Sequence, residues 1–539
     1  MEREVSNDFV KSSYILTLGY LLSSLISSIG TIVVIRLISI EEYSLLNISF
    51  IIPAILIVFS ELGLNYASTH FIAKKIKENN YKEVRDVIKI NLIIKIIVGL
   101  IFSILILLYS AYIAIEIYKV TDKRLIILIQ IGAIGIFARI ILDAMNSFYL
   151  GGLKVKVIQI GSILQTSLRT VISIILILCG LGYLGPILGF VLAPLFVVVF
   201  YLFFLKRTFY IDKNEKESIN WSELTKMVKY GYPLLFLSAV ASIQLPIYTY
   251  ILTISGNLIE VSYLNVAIVS AALIGILTKS ISFSLFPIFS KMNWNNNDKE
   301  KEKLITYFRF SIKYGTILIL PTCLLLFIFS RDIFPIIYGE KYRDASTFIS
   351  IYFLTFLLVS FGSLTIPAFF NGQKRTQYVL YIQLINLIST VLFSLILIYY
   401  IGAIGIAYGI VLGSTVSVIC GNILLRKEYG NIFLGNFKNM FFIFIIAIVI
   451  GFLTYMLYGF LNFVISANNV FYTVFKLGLA FTFYILIFLF SIGIFSQIDI
   501  EEIEFFEGSF KNFPLINKLI KLVCTIERKI INVRIRNKK

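Results

Sequence analysis

The chain has 539 residues, of which 58% are hydrophobic and only 14% are charged, a composition far more apolar than that of a soluble domain. The formal net charge is +18, but the basic residues of multi-span membrane proteins collect on cytoplasmic loops. The composition therefore excludes a soluble globular protein, gives no support to a nucleic acid partner, and predicts an integral membrane protein.

Apolar segments along the chain predict an all-α polytopic membrane protein with about fourteen transmembrane helices, since each span needs about 20 mostly apolar residues. Met1 to Lys11 is polar and the apolar run after it is long enough to cross, so we expect the first span to be retained. Most of the 48 Lys and Arg residues lie on alternate loops, which predicts a multi-pass protein of the cell membrane with both termini cytoplasmic. The predicted spans are 13–38, 44–72, 90–115, 125–149, 157–179, 184–205, 230–254, 262–290, 305–330, 345–371, 378–400, 404–425, 439–463 and 469–495.

An internal repeat divides these spans into two lobes. A shift of 220 positions places "GLGYLGPILGFVL" (Gly180–Leu192) on "YIGAIGIAYGIVL" (Tyr400–Leu412), with three glycines in register. Each copy holds six spans, so the lobes form a parallel repeat related by an axis along the membrane normal, and the last two helices have no counterpart. The predicted domains are an N-lobe of helices 1–6 at 1–210, a cytoplasmic linker at 211–229, a C-lobe of helices 7–12 at 230–430, extra helices 13–14 at 431–496, and a cytoplasmic amphipathic basic tail at 497–539.

Charged and polar side chains form two stripes inside the spans. A lone charge at mid-span costs about 2.5–3.5 kcal/mol on insertion scales, so we expect the stripes to face protein or water rather than lipid. With Glu61 and Lys279 from other spans, three cations stand against two carboxylates. The stripe of the fourth helix is Gly132, Gly135, Arg139, Asp143 and Asn146, and that of the fifth is Gln159, Ser162, Thr166, Arg169 and Ser173.

Two interpretations of these charges remain open. Asp143, one turn beyond Arg139, could simply neutralise that arginine and tie helices together, or the cations could line a functional cavity. The repeat favours the second, because positions 139, 143 and 169 shift to Val359, Ser363 and Ser389 and carry no charge in the second copy. Charges nearer the span ends are expected to extend to the interface; these are Arg36, Lys95, Arg309, Lys313 and Lys476.

A cationic cavity in the bilayer would suit a phosphate or pyrophosphate head group, because Arg offers planar bidentate donors and Lys a point charge. Arg139, Arg169 and Lys279 are therefore the predicted phosphate-binding residues. Asp143 and Glu61 would orient these cations or bind a coupling ion, Na⁺ or H⁺. Candidate contacts to an attached sugar are Gln159, Thr166, Asn146 and Gln244.

Motifs for catalysis and nucleotide binding are missing from the sequence. It has no Walker A motif, no dinucleotide glycine fingerprint and no HExxH, and neither the single His70 nor the four scattered cysteines indicate a metal site. The predicted outer loops are short, which argues against a membrane glycosyltransferase or ligase. We therefore predict a transporter without a cofactor rather than an enzyme.

Three stretches resemble prokaryotic polysaccharide exporters. "VIRLISIEEYSLLNI" (Val34–Ile48) is similar to one of their segments, although Ser44 replaces the usual Gly. "SELGLNYASTHFIAKK" (Ser60–Lys75) looks like a second segment, with Glu61 where Asp is common, and "FPIFSKM" (Phe286–Met292) fits the second lobe. The residues shared with the first segment are Arg36, Leu37, Glu41, Glu42 and Tyr43.

The resemblance implies a lipid-linked oligosaccharide flippase of the O-antigen and teichuronic acid exporter type, within the superfamily of lipid II flippases and multidrug and toxic compound extrusion antiporters. It also implies a V-shaped cavity between two six-helix lobes, in which cations bind the lipid phosphate. We expect Arg139, Arg169 and Lys279 to bind the phosphate because of their predicted depth in the membrane.

The predicted function is movement of a polyprenyl-(pyro)phosphate-linked oligosaccharide from the inner to the outer leaflet by alternating access. Its expected ligands are the lipid-linked saccharide and membrane lipids, and glycan assembly enzymes are candidate partners. The alternatives are an ion-coupled multidrug or cation antiporter of the same fold, a membrane glycan polymerase or ligase, and a purely structural membrane protein.

Overall fold

The computed structural model describes residues 2–209, 220–292, 294, 298–432, 437–465 and 469–494, together with the single residues 521, 525 and 528. Throughout these residues the regular secondary structure is helical, without a strand. The predicted all-α class is therefore confirmed. Residues 211–219 of the predicted linker and nearly all of the predicted tail at 497–539 lie outside the described residues.

Eighteen α-helices follow one another through the described residues. The first nine are α1 (Glu2–Leu37), α2 (Ile40–Ser49), α3 (Ile51–Ser60), α4 (Leu64–Lys77), α5 (Tyr81–Tyr112), α6 (Lys123–Gly151), α7 (Val155–Leu176), α8 (Leu184–Thr208) and α9 (Ser222–Ile254). The second nine are α10 (Leu258–Lys291), α11 (Asp298–Ile328), α12 (Ser330–Tyr338), α13 (Ala345–Leu357), α14 (Thr365–Gly372), α15 (Thr376–Ile401), α16 (Ile404–Tyr429), α17 (Phe437–Val464) and α18 (Val470–Ile494).

Eleven described helical segments are long and apolar enough to cross a membrane, and there are twelve if the bent pair Ala345–Phe361 and Thr365–Gly372 is one span. The predicted seventh and eighth spans correspond to α9 and α10, whose described apolar parts, Ser238–Ile254 and Leu258–Ala272, are shorter than 18 residues. A multi-pass membrane protein is therefore confirmed, whereas the number of fourteen spans remains a prediction.

The chain forms two compact units. The first consists of Met1–Ile276, Ile337–Ala345 and Val391–Gly409, and the second of Leu277–Ile336, Ser346–Thr390 and Ile410–Lys539. The first unit thus contains α1 to α9 entire. The predicted lobe boundaries at 210 and 230 stay a prediction.

The central helix of the first unit is α6, which packs against α4, α5 and α8. Its buried apolar side chains join those of these neighbours in one core. Two small residues on α6 permit close packing: a Cβ added at Gly135 would lie 2.7 Å from the ring of Phe190 on α8, and one at Gly132 would lie 3.6 Å from Ile187. The glycines of the predicted polar stripe therefore face α8, and the charged part of the stripe begins at Arg139.

The second unit has its own core around α11, α17 and α18. Within it the hydroxyl of Tyr484 on α18 donates to the carbonyl of Ala447 on α17 at 3.1 Å, and both side chains are buried. The two helices predicted to lack a counterpart in the repeat are thus packed against α11 rather than standing alone in the lipid.

Candidate functional site

The predicted second span is interrupted between α3 and α4. Leu62 and Gly63 have φ values of 46° and 72°, in the left-handed region that ends a helix and that glycine adopts at least cost. Glycine is also needed for space, because a Cβ at Gly63 would overlap the backbone of Gly231 on α9, and a Cβ at Gly231 would overlap Gly63. The break places Glu61 at the end of a half-helix, within a transmembrane segment.

Lys95 on α5 caps this break. Its side chain is buried, with 1% of the residue exposed, and its Nζ donates to the carbonyl oxygen of Ser60 at 2.8 Å. A helix that ends in the membrane leaves carbonyl groups without partners, and water is not there to satisfy them. The ammonium group therefore satisfies a carbonyl that the break has freed.

The expectation that Lys95 reaches the membrane interface is wrong. The helix α5 begins at Tyr81, where Asn80 caps it by accepting the amide of Glu83 at 3.2 Å and donating to the Glu83 carboxylate at 2.8 Å. Lys95 consequently lies about 21 Å along the helix from its start. The "NYKE" cap signal (Asn80 to Glu83) marks the start of α5 in the sequence, but a helix cap does not locate the membrane boundary.

The second ionic element is a pair within α6. The Nε of Arg139 lies 3.1 Å from an Oδ atom of Asp143, one turn further along the helix, and the two side chains are 38% and 20% exposed. The pairing that the sequence left as an alternative is therefore formed. It engages Nε alone, and in the part of the chain that the structure describes no other hydrogen bond to the Arg139 guanidinium is found, so donors remain available.

These groups form one charge cluster, which we define as Glu61, Lys95, Arg139 and Asp143. The Glu61 carboxylate lies within electrostatic range of Lys95, Asp143 and Arg139, and Lys95 lies within range of Asp143. Two cations and two carboxylates make the cluster formally neutral. Close opposite charges reduce the cost of holding each of them inside the membrane, which explains why the four occur together.

Arg169 on α7 is the cation in excess. Its guanidinium lies 5.9 Å from the centroid of the Phe190 ring, within the range of a cation–π contact, and it is repelled by the charge of Arg139. No carboxylate among the described residues forms an ion pair with it, and the residue is exposed. Arg169 thus combines an exposed side chain with no ion-pair partner among the described residues, and it lies within electrostatic range of Arg139 in a region where protein atoms surround it.

Three of the predicted sugar contacts are already engaged in helix packing. Asn146 accepts a hydrogen bond from Tyr201 at 2.8 Å, and Thr166 donates to carbonyls of its own helix. Gln159 is buried where a Cβ at Gly19 of α1 would overlap it. Each of these three side chains would have to exchange a protein contact for a sugar contact.

The remaining predicted site residues lie on α9 and α10. Gln244 is partly buried on α9 in the first unit. Lys279 belongs to α10 in the second unit, and its side chain lies outside what the structure describes. The cations that the structure brings together are therefore Arg139, Arg169 and Lys95, the last of which the sequence analysis had assigned elsewhere.

Residues of the "ISIEEY" segment have structural roles. Ser39 and Glu42 form a reciprocal capping box at the start of α2, with N···O distances of 3.2 and 2.8 Å. Glu41 lies 3.6 Å from Arg124, and Arg124 in turn pairs with Asp122 at 2.7 Å. The structure thus accounts for Glu41 and Glu42 by helix capping and ion pairing. Among the described residues, no group of three or more His, Cys, Asp and Glu side chains could hold a metal ion.

Comparison with known proteins gives a family match. A family model described as "Polysaccharide biosynthesis protein" matches residues 33–347, more than half of the chain. An uncharacterized membrane protein of Methanocaldococcus jannaschii is 25% identical over 378 residues, covering 67% of this chain and 72% of that protein. The probable lipid II flippase MurJ of Buchnera aphidicola subsp. Schizaphis graminum is 31% identical over 198 residues, which are 34% of this chain and 37% of that protein.

Solved structures with the same fold include two kinds of transporter. The lipid II flippase MurJ in an inward closed conformation is similar with a TM-score of 0.69 at 15% identity, covering 88% of this chain and 98% of that chain. A multidrug resistance transporter of the MATE family, in an inward-facing conformation, is similar with a TM-score of 0.61 at 17% identity, covering 77% and 95%. At these identities the likeness concerns the fold.

Proposed function

Because the chain belongs to the polysaccharide biosynthesis protein family, we propose that it is a flippase for a polyprenyl-(pyro)phosphate-linked oligosaccharide. The observation that carries the proposal is Arg169, whose exposed guanidinium has no carboxylate partner among the described residues and lies within electrostatic range of Arg139. A binding site with one net positive charge would favour an anionic head group over a cationic drug.

In this proposal the lipid phosphate binds to Arg169 and to the unused N–H groups of Arg139. One guanidinium group can donate two parallel hydrogen bonds to two phosphate oxygens, in a fixed geometry. The fourth member of the cluster, Lys95, holds the broken helix in place through Ser60 and does not contact the ligand. Lys279 remains the third phosphate-binding candidate on the sequence argument, and Gln244 is the sugar-contact candidate without a side-chain hydrogen bond among the described residues.

Transport would follow alternating access between two six-helix lobes in a fourteen-helix protein, from the inner to the outer leaflet, with both termini cytoplasmic. Contacts related by the 220-residue shift support the repeat. Tyr149 contacts Phe209 with ring centroids 5.9 Å apart, and the corresponding Phe369 contacts Tyr429 at 5.0 Å. The polyprenyl tail would remain in the lipid while the sugar and phosphate cross in the cavity.

The driving force would be an ion gradient, the membrane potential or the substrate gradient, since the sequence carries no nucleotide-binding motif. Glu61 and Asp143 are the carboxylates available to a coupling Na⁺ or H⁺. Glycan assembly enzymes would supply the substrate on one side of the membrane and use it on the other.

An ion-coupled multidrug antiporter is the second candidate, favoured by the fold that the chain shares with a MATE transporter. A drug antiporter for cations would be expected to gain from removal of an unpaired arginine, since this lowers the repulsion of its substrate. A phosphate-binding flippase would lose activity. The same substitution therefore separates the two functions.

The test is complementation of a deletion strain with wild-type protein or Arg169→Gln, with lipid-linked saccharide on the cytoplasmic leaflet as the readout. We expect accumulation on deletion, rescue by wild type and little rescue by Arg169→Gln at equal expression. Arg343→Gln is the matched control, because Arg343 is an exposed loop arginine paired with Glu340. If deletion causes no accumulation in a strain without a redundant exporter, the flippase proposal is wrong.

A further inference from the structure

A groove in the second unit lies outside the proposed transport site. Its volume is about 450 Å³, within the range of small-molecule sites. It lies beside α16 and the short 3₁₀ turn at Leu358–Phe361 that follows α13. The lining includes Leu358, Phe361, Val418, Ile419, Ile423 and Arg426.

The groove borders a second broken helix. The helices α13 and α14 are bent by 49° across a short break, and Gly362 has a φ of 88°. Asn422 on α16 donates to the freed carbonyl of Phe361 at 3.0 Å. Thr415, also in the lining, donates to the carbonyl of Val411 at 2.8 Å. Both polar side chains thus donate to backbone carbonyls instead of to a ligand. The rest of the groove wall between Thr415 and Arg426 is apolar.

The stretch of α16 that lines the groove up to Arg426 is about as long as one membrane leaflet is thick. From Thr415 to Arg426 there are eleven residues, or about 17 Å of helix, and the hydrocarbon core of a bilayer is about 30 Å thick. The apolar lining residues of α16 lie between these two positions, and Arg426 lies near the end of the helix, where Gly430 and Asn431 complete the lining. A single acyl chain that lies along α16 would thus reach from mid-membrane to its head group at Arg426.

Arg426 is the lining residue that can bind an anion. It is exposed, and within the described part of the chain it has no ion-pair partner, whereas the neighbouring Arg375 is paired with Glu428 at 2.7 Å. Arg426 and Lys427 both lie in the last turn of α16, where a cation also interacts favourably with the helix dipole. Only Arg426 of the two lines the groove.

We propose that this groove binds an anionic phospholipid, with one acyl chain along α16 and the phosphate on Arg426. A basic residue at the mouth of a pocket between transmembrane helices is typical of recognition of anionic head groups. A polyprenyl chain would extend well beyond a groove of one-leaflet length, so the length favours an acyl chain. The site does not depend on the proposed transport function, because it uses none of the charge cluster or Arg169.

The test is native mass spectrometry of the purified full chain with phosphatidylglycerol or phosphatidylcholine. We expect wild type to retain phosphatidylglycerol preferentially. Arg426→Gln should weaken that retention about fivefold, which corresponds to about 1 kcal/mol for one cation near the membrane surface. Lys427→Gln should leave it unchanged, since Lys427 shares the helix end but not the groove.

A second variant tests the apolar part of the groove. Ile419 is 55% exposed, so Ile419→Trp should fold and partly fill the groove, and it should reduce retention of both lipids. The proposal is overturned if Arg426→Gln and Lys427→Gln weaken binding equally, which would indicate surface charge alone. It is also overturned if neither variant nor Ile419→Trp has an effect, or if a polyprenyl phosphate displaces phosphatidylglycerol at equal concentration.

Discussion

Among the described helices, the break between α3 and α4 and the break between α13 and α14 are capped in different ways. Between α3 and α4 the freed carbonyl of Ser60 accepts a hydrogen bond from the buried ammonium of Lys95 at 2.8 Å. Between α13 and α14 the freed carbonyl of Phe361 accepts one from the neutral amide of Asn422 at 3.0 Å. Both breaks use a glycine with a positive φ, Gly63 and Gly362.

The difference in the capping group explains the difference in the surroundings. A buried ammonium is costly unless carboxylates compensate it, and Glu61 and Asp143 provide that compensation. A neutral amide requires no counter-charge, and the second break accordingly lies beside an apolar groove. A charged cap thus brings a polar cluster into the membrane, and a neutral cap leaves room for a lipid.

The largest expected effect comes from the glycines of the two breaks. Gly63→Ala places a Cβ into the backbone of Gly231, where neither helix can yield, so we expect a loss of more than about 4 kcal/mol and no folded protein. At Gly362 a Cβ would lie 3.0 Å from the end of the Ile366 side chain, which can shift. Gly362→Ala should therefore cost about 1–2 kcal/mol for the left-handed backbone alone.

The measurement is the yield of monodisperse protein in detergent, followed by thermal unfolding of whatever is recovered. Gly430→Ala serves as a control, because that glycine also has a positive φ, 78°, but no atom within 4 Å of an added Cβ. If Gly63→Ala is as stable as Gly362→Ala, the close approach to Gly231 does not constrain the first break.

The capping residues give the next effect. Lys95→Met removes the donor to Ser60 and the strongest counter-charge of Glu61, and breaking a buried ionic group in this way costs about 3–5 kcal/mol. Asn422→Leu leaves one carbonyl without its side-chain donor and should cost about 1–3 kcal/mol. Both values can be measured as changes in the free energy of unfolding in detergent.

Lys89→Met is the matched control for the charged cap, since it is the same replacement on α5 at a partly exposed position. It should change the free energy of unfolding by less than about 0.5 kcal/mol. If Lys95→Met and Asn422→Leu lower the free energy of unfolding equally, the charge of Lys95 contributes no stability beyond that of its hydrogen bond.

A double substitution separates the hydrogen bond of the charged cap from its charge. In Lys95→Met with Glu61→Gln the carboxylate that lost its cation is also neutral, so the double variant should be more stable than the sum of the single losses predicts, by about 1–2 kcal/mol. The hydrogen bond to Ser60 is lost in either case and does not recover. Strict additivity of the two substitutions would mean that Glu61 and Lys95 do not stabilise each other.

The all-α membrane class and most of the helix positions could be predicted, because a helix that crosses the bilayer needs an apolar run long enough to match the bilayer thickness. The breaks could not. "SELGLNY" (Ser60 to Tyr66) lies inside a predicted span, where one glycine is tolerated in a helix. The close approach that requires this glycine comes from Gly231, more than 160 residues away in the chain. A local pattern cannot report a backbone contact over that distance.

The candidate site was predicted in part for the same reason. The spacing of Arg139 and Asp143 on one helix face is local, and the structure pairs them. The assignment of Lys95 was wrong because its partner, the carbonyl of Ser60, becomes available only when the preceding span breaks. Gln159 and Asn146 follow the predicted stripes, but the helices that cover them, α1 and α8, cannot be identified from periodicity.

The smallest expected effect on stability is at Asp122, a charged helix cap that is partly exposed. It shows how little a charged cap contributes when water can reach it. Asp122 caps α6 by accepting the amide of Arg124 at 2.8 Å, and its hydrogen bond to the Arg124 side chain lowers the pKa of this carboxyl below its usual value. Asp122→Asn keeps a good capping residue and removes the charge. Because the pair is partly exposed, with side chains 28% and 38% accessible, the loss at neutral pH should be below about 1 kcal/mol.

The pH dependence of that loss identifies its origin. A carboxyl whose pKa is lower in the folded than in the unfolded state stabilises the fold above its unfolded pKa, about 3.9, and this stabilisation disappears as the pH falls through the folded pKa. The difference between wild type and Asp122→Asn should therefore be present at pH 7 and shrink below about pH 4. Glu116→Gln, in the helical turn before this loop and paired with Lys119 at 3.2 Å in a more exposed position, is the control and should change less. Exposed ion pairs ordinarily stabilise a protein much less than buried ones do. If Asp122→Asn lowers the free energy of unfolding by more than about 2 kcal/mol, this difference does not hold between Asp122 and Lys95.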